Sequence, residues 1–203
     1  MPEIVAARAI VVDPHPRFGD SMRACLAKGG HVALSQAQYF DEAMHQTNLL
    51  QPDLMIVGPH LAQSSLPACH AMIARVPTLK GILFTAHADE MLFQADAAHA
   101  GIAACLRPET TDEELLAVIA KVMTGEQLFS HEILSLAFQP IRLTARELEV
   151  LSRMAEGKTD REIASALNVR FDTVRNHTQH ILEKLNVHTR QEAVWRARAR
   201  GLV

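Results

Sequence analysis

The chain has 203 residues, 48% of them hydrophobic and 21% charged, with a formal net charge of −3. That length admits one large or two small domains. No run approaches the roughly eighteen apolar residues of a membrane span, and Met1-Pro2-Glu3-Ile4 lacks the basic start of a secretory leader, so a soluble, cytoplasmic protein is expected, without membrane contact.

The net charge hides an asymmetry that favours two domains. Residues 1–142 carry 9 Lys and Arg against 15 Asp and Glu, whereas residues 143–203 carry 11 against 8. A basic end on an acidic body is what a nucleic-acid-binding domain attached to a regulatory domain would show. Three cysteines, Cys25, Cys69 and Cys105, are an odd number without C-x-x-C spacing, and their apolar surroundings point to buried free thiols. His177 and His180 have the spacing of a helical metal pair but no third ligand nearby. No metal and no cofactor is expected.

In chain order, short continuous apolar runs stand at 9–12, 32–34, 54–57, 82–84 and 102–106, each suited to a strand buried on both faces of a parallel sheet. Stretches of helical period separate them, such as Phe18, Met22, Cys25 and Leu26, or Leu115, Leu116, Val118, Ile119 and Val122. Five strands alternating with five helices predict an α/β doubly wound (βα)5 domain over residues 1–124, in the flavodoxin-like strand order.

Several residues of this half carry a resemblance. Val11-Val12-Asp13-Pro14-His15-Pro16 is similar to the acidic loop after a first strand, Pro52 to Val57 to a third strand, Thr85-Ala86 to the end of a fourth, and Ala100-Gly101 with Leu106 to a fifth. Together they resemble the receiver domain of NarL/FixJ-family response regulators. The resemblance implies a pocket where a carboxylate accepts a phosphoryl group, an acidic pair holds Mg2+ and a Lys pairs with the phosphoryl oxygens. In this chain those positions are Gly58 for the acceptor, Asp13 and Pro14 for the pair, Thr85, and Pro108 for the Lys. Only Asp13 and Thr85 retain a usable group. Asp53 would lie about 16 Å away along the strand, His60 is a nearer loop residue, and Arg107 would point to the other face. A pseudo-receiver that works without phosphorylation is expected. Its dimer contacts are expected on the helices after the third to fifth strands, and it is also where another regulator or sensor would dock.

Residues 125–142 read as a linker with a short helix at 130–138 capped by Ser130. Residues 143–203 then carry three Thr-x-x-Glu spacings, Thr144/Glu147, Thr159/Glu162 and Thr189/Glu192, each a capping box before an apolar periodic run. Gly157 and Asn168 sit where a chain leaving a helix needs positive φ. Four helices are predicted, roughly 144–156, 160–167, 171–185 and 189–199, with core stripes Leu148, Leu151, Met154, Ala155 on the first and Ile163, Ala164, Leu167 on the second. At about 100° per residue the third helix places Val174, Thr178, Ile181 and Leu185 inward, and Asp172, Asn176, Gln179 and Glu183 outward, flanked by Arg175 and His180. An outward row of Arg, Asn and Gln suits base readout in the major groove.

The order from Leu143-Thr144-Ala145-Arg146-Glu147 through Glu162-Ile163-Ala164 to Thr173-Val174-Arg175-Asn176-His177 resembles the LuxR-type helix-turn-helix. The resemblance implies base contacts by Arg175, Asn176 and Gln179, and phosphate contacts by Thr173 and Lys184. It also implies dimerisation through the last helix, where Ala193, Val194 and Ala197 form a small-residue face; Trp195 either adds to that contact or packs inward. The family's usual N-cap Ser is Arg170 here, which cannot accept an N–H bond, so Asp172 stabilises the helix start through its dipole or Arg170 reaches a phosphate.

These features predict a sequence-specific transcription regulator that binds double-stranded DNA as a homodimer. The alternative of a different class is an interaction protein that heterodimerises with an intact response regulator and titrates it. No paired acid/base or nucleophile motif supports an enzyme.

Overall fold

The computed structural model describes residues 6–61 and 65–203, so the reading of Met1–Ile4 lies outside the described residues. The chain divides into one unit ending at Phe138 and a second spanning Gln139–Val203.

In the first unit the apolar runs become β1 (Arg8–Val12), β2 (Val32–Ala37), β3 (Leu54–Val57), β4 (Lys80–Phe84) and β5 (Ile102–Leu106). They form one parallel sheet in the order β2-β1-β3-β4-β5, the flavodoxin-like order expected. All four residues of β3 are fully buried, because helices must cover both faces of a parallel sheet. The edge strand β2 is only partly buried and runs three residues past its apolar stretch, through Ser35 and Gln36. On a half-solvated edge, polar side chains do not interrupt pairing, so hydropathy alone marks the strand too short.

The covering helices are α1 (Pro16–Lys28), α2 (Phe40–Leu50), α3 (Leu66–Arg75), α4 (Met91–His99) and α5 (Asp112–Met123). Met22, Cys25 and Leu26 of α1 and Leu115, Ile119 and Val122 of α5 join Val11, Ile56 and Phe84 in one apolar cluster. A capping box starts α5, where Thr111 accepts from the Glu114 amide and Glu114 accepts from the Thr111 amide. The spacing is the one noted three times in the second half.

Residues 125–142, expected as a linker, contain α6 (His131–Ala137), and this helix packs along α4 within the first unit. His99 of α4 bonds to the Ala137 carbonyl oxygen at 3.1 Å. That contact explains why α4 buries Phe93, Ala95, Asp96, Ala97 and Ala98 rather than a single stripe: it has the sheet on one side and α6 on another. α6 thereby covers one side of α4.

The second unit is all helical: α7 (Ala145–Ala155), α8 (Asp160–Ala166), α9 (Phe171–Leu185) and α10 (Arg190–Ala199). Thr144 and Thr159 form complete capping boxes, each N-cap contributing about 1 kcal/mol. Thr189 caps the Glu192 amide, but Glu192 reaches the His188 amide at 2.9 Å. Gly157 (φ 81°) and Asn168 (φ 50°) adopt the left-handed conformation that ends α7 and α8. The core joins Val150, Leu151, Met154, Ile163, Ala164, Val174, Ile181, Leu185, Ala193 and Ala197. On α7 the buried stripe is Glu147, Val150, Leu151 and Met154, and Leu148, expected inward, is exposed. The i, i+3, i+4, i+7 face starts from Glu147, whose carboxylate is taken inward by polar partners.

Candidate nucleic-acid interface and receiver pocket

The α8–turn–α9 segment presents α9 with its buried stripe, Val174, Ile181 and Leu185, against the core. Asp172, Arg175, Asn176, Gln179, His180 and Glu183 are exposed, and Thr178 is partly buried on the inner side. Among the described residues, the side chains of Arg175 and Asn176 make no hydrogen bond or ion pair. Gln179 donates to Glu183 at 3.1 Å; its amide oxygen stays available as an acceptor. Arg170 is the N-cap and no side chain caps this helix; the Arg170 guanidinium is unpaired. Thr173 is partly buried one turn into the helix.

Lys184, expected at a phosphate, is engaged within the unit itself while its side chain stays partly exposed. Its ammonium donates to both carboxylate oxygens of Glu147, at 2.8 and 2.7 Å, and the carboxylate is buried. Burial acts to raise the Glu147 pKa, but bonds from Lys184 and from Thr144 outweigh it and hold the value at about 2. Other cations of this unit also work internally. Arg146 donates to Leu167 O at 3.0 Å, closing the C-terminus of α8; Arg190 pairs with Asp160 at 2.7 Å; Arg198 donates to Ala155 O at 2.9 Å. Among the described residues of this unit, the cations without such a partner are Arg142, Arg161, Arg170 and Arg175. Three of the four lie on α8 or at the start of α9. Sequence alone does not set Arg161 apart, because only its lack of an internal partner distinguishes it from its neighbours.

The small-residue dimer face needs correction. Ala193 and Ala197 are fully buried in the unit's own core, and Val194 packs against it. The small size of the two alanines lets α10 approach α7 and α9 closely and takes them out of the surface, whereas Val194 remains partly exposed.

In the first unit the expected pocket residues stand at the C-terminal ends of the strands, beside the point where the strand order reverses. Asp13 follows β1, Gly58 follows β3, Thr85 follows β4 and Pro108 follows β5. Thr85 is buried and its hydroxyl accepts from the His87 amide at 3.1 Å. Pro108 and Arg107 are exposed, with Arg107 paired to Asp89. Gly58 does not have positive φ, so its backbone would accept other residues; space is what it lacks. A Cβ there would stand 2.0 Å from Asp13 Oδ2. The buried Asp13 carboxylate thus leans into the room an acceptor side chain would need.

Two residues not expected at the site join it. The sequence repeats as Asp13-Pro14-His15 after β1 and Gly58-Pro59-His60 after β3, and the register Val12 beside Val57 sets the two loops side by side. His60 Nδ1 is 3.0 and 3.2 Å from the Asp13 oxygens, the His15 amide donates to Asp13 Oδ1 at 2.8 Å, and the two imidazoles stack with centroids 3.8 Å apart. The twin Pro-His loops were the available signal. This set does not fit the Mg2+ and phosphoryl group that the receiver resemblance implies, because Mg2+ demands near-octahedral oxygen ligands and the pocket offers one carboxylate between two imidazoles. All three cysteines are free. No helix among the described residues is long and apolar enough to cross a membrane.

Comparison with known proteins agrees with this geometry. Residues 142–197 match the family described as bacterial regulatory proteins, luxR family. The chain is 35% identical over 153 residues to the transcriptional regulatory protein DesR of Bacillus subtilis, covering 74% of this chain and 75% of that one. It is 27% identical over 198 residues to the response regulator protein VraR of Staphylococcus aureus, covering 92% and 94%. Among solved structures, RcsB of Salmonella enterica serovar Typhimurium shares the fold, with a TM-score of 0.73 at 17% identity over 96% of this chain and 99% of that one. With a receiver-type sheet in its first unit and a luxR-family helical domain in its second, the chain belongs to the NarL/FixJ family of response regulators.

Proposed function

We propose that the protein is a sequence-specific DNA-binding transcription regulator that acts as a homodimer and is not controlled by aspartyl phosphorylation. The observation that carries the DNA-binding reading is the outer face of α9, where Arg175 and Asn176 are exposed and uncommitted beside Gln179. Arg offers a bidentate donor to guanine, and Asn or Gln a donor and acceptor to adenine. Arg161, Arg170 and Thr173 are the phosphate-facing groups of this reading; Lys184 is held by Glu147. RcsB, whose fold this chain shares, was solved bound to promoter DNA, which supports the same use of the helical domain here.

Phosphorylation independence rests on Gly58, which supplies no nucleophile, and on Asp13 filling the space beside it. The test is selection of binding sites from a random duplex library by the full chain without phosphodonor, followed by salt-dependent affinity measurement. A recovered motif with two half-sites supports the reading. Weak, sequence-independent retention overturns it and favours titration of an intact regulator.

A further inference from the structure

We infer that Asp13, His15 and His60 form a binding site for a divalent cation of the zinc class, in place of the family's magnesium and phosphoryl chemistry. One ligand atom from each residue lies within 4.8 Å of the others, and no other such group of three occurs among the described residues. The inference does not rest on the DNA-binding reading, and the two can fail separately.

The arrangement follows from the sheet. Adjacent strands in register end in matching Pro-His loops, which sets His15 alongside His60. The absence of a side chain at Gly58 lets the fully buried Asp13 carboxylate turn toward both. A tetrahedral zinc, with bonds of about 2.0–2.2 Å, spaces its donors roughly 3.3–3.6 Å apart. His60 Nδ1 stands 3.2 Å and His15 Nδ1 3.9 Å from the same oxygen, Asp13 Oδ1, so shifts of a few tenths of an ångström bring both to that spacing. Coordination bonds lie in the ring planes, so the stacked imidazoles must splay. His15, with 61% of its side chain exposed, and His60, with 45%, have room to turn. Two imidazole nitrogens and one carboxylate oxygen select Zn2+, Co2+ or Ni2+ over Mg2+. Three protein ligands leave a fourth position to solvent. A bound cation would join the loops after β1 and β3, a different means of coupling them from phosphorylation.

The experiment is a Co2+ titration of the tag-free full-length protein, read by visible absorption. The expected result is one Co2+ per chain with the intense bands of a four-coordinate site, displaced by Zn2+ and not by millimolar Mg2+. His15→Ala and His60→Ala should each weaken binding about tenfold or more, while His177→Ala leaves it unchanged. His15→Gln and His60→Gln serve if the alanine variants melt early, and Zn2+ should raise the melting temperature of the wild-type chain. The inference is overturned by absence of the bands at millimolar Co2+, by bands that survive both histidine changes, or by displacement with Mg2+.

Discussion

Lys184 on α9 donates to both oxygens of the buried Glu147 carboxylate on α7, 37 residues away. The pair joins α9 to the helix that begins the domain. Because the Glu147 pKa is depressed to about 2, its contribution to stability is fully present above the ordinary carboxylate value of about 4.5 and is lost as pH falls through about 2. The melting temperature of residues 139–203 should therefore decline between pH 4.5 and 2. Lys184→Ala should destabilise at pH 7 by about 1–3 kcal/mol, since it leaves the buried Glu147 carboxylate without its cation, and should shrink the loss of stability on acidification. A Lys184→Ala variant with unchanged melting and only weaker DNA binding would return Lys184 to the phosphate role.

Arg175→Ala should cost about 1–3 kcal/mol of binding and relax preference at one base position, because a bidentate base contact is lost. Arg161→Ala should weaken all duplexes alike and reduce the salt slope by about one. Competition titrations against single-base variants of a selected site, repeated at several salt concentrations, separate the two signatures.

Ala197 is fully buried in the core of the helical unit. Ala197→Leu should destabilise by about 1–3 kcal/mol through overpacking, read as a lower denaturation midpoint. Sedimentation of the variant below its melting temperature should show the same association state as the wild type. A specific loss of dimer with stability intact would restore the small-residue face to the interface.

The sequence made the architecture readable where local and global preferences agree. β3 is apolar throughout because both its faces are buried, and Thr144 and Thr159 mark helix starts because the Glu three residues on completes each cap. Edge strand β2 is longer than its apolar run because solvent accepts Ser35 and Gln36. Leu148 reads as inward because it is apolar, but Glu147 takes the buried position beside it, and the partner that draws Glu147 inward lies far along the chain. His15 and His60 are 45 positions apart, and only the register of β1 against β3 makes them neighbours. Long-range pairs of this kind leave no periodic trace, so Asp13, Gly58, Thr85 and Pro108 were legible as pocket positions while the stacking of His15 on His60 was not.

Burial pushes the Cys25 thiol up to about 11, and the Cys69 and Cys105 thiols up to about 12. The thiolate is the reactive form, so native protein at pH 8 should react with a disulfide reagent far more slowly than unfolded protein, which should titrate three thiols. Rapid reaction of one thiol under native conditions would show that its surroundings open.

A Cβ on Gly58 would stand 2.0 Å from Asp13 Oδ2, 2.6 Å from its Cγ and 2.7 Å from its Cβ. Asp13 is short, buried and fixed by the His15 amide and His60, so it has little room to yield. Gly58→Ala should therefore lower stability by about 1–3 kcal/mol although the backbone permits the residue. Gly58→Asp adds like-charge repulsion to the same clash and should be less stable still. Neither the wild type nor Gly58→Asp should gain phosphoryl mass from acetyl phosphate with Mg2+, because Pro14 leaves Asp13 without an acidic neighbour and Pro108 supplies no cation for the developing charge. The smallest set expected to regain the chemistry is Gly58→Asp with Pro14→Asp and Pro108→Lys. Intact-mass spectrometry at neutral pH reads all of these variants, and acid-labile phosphate on the unmodified chain would overturn the reading, with His60 the first residue to map.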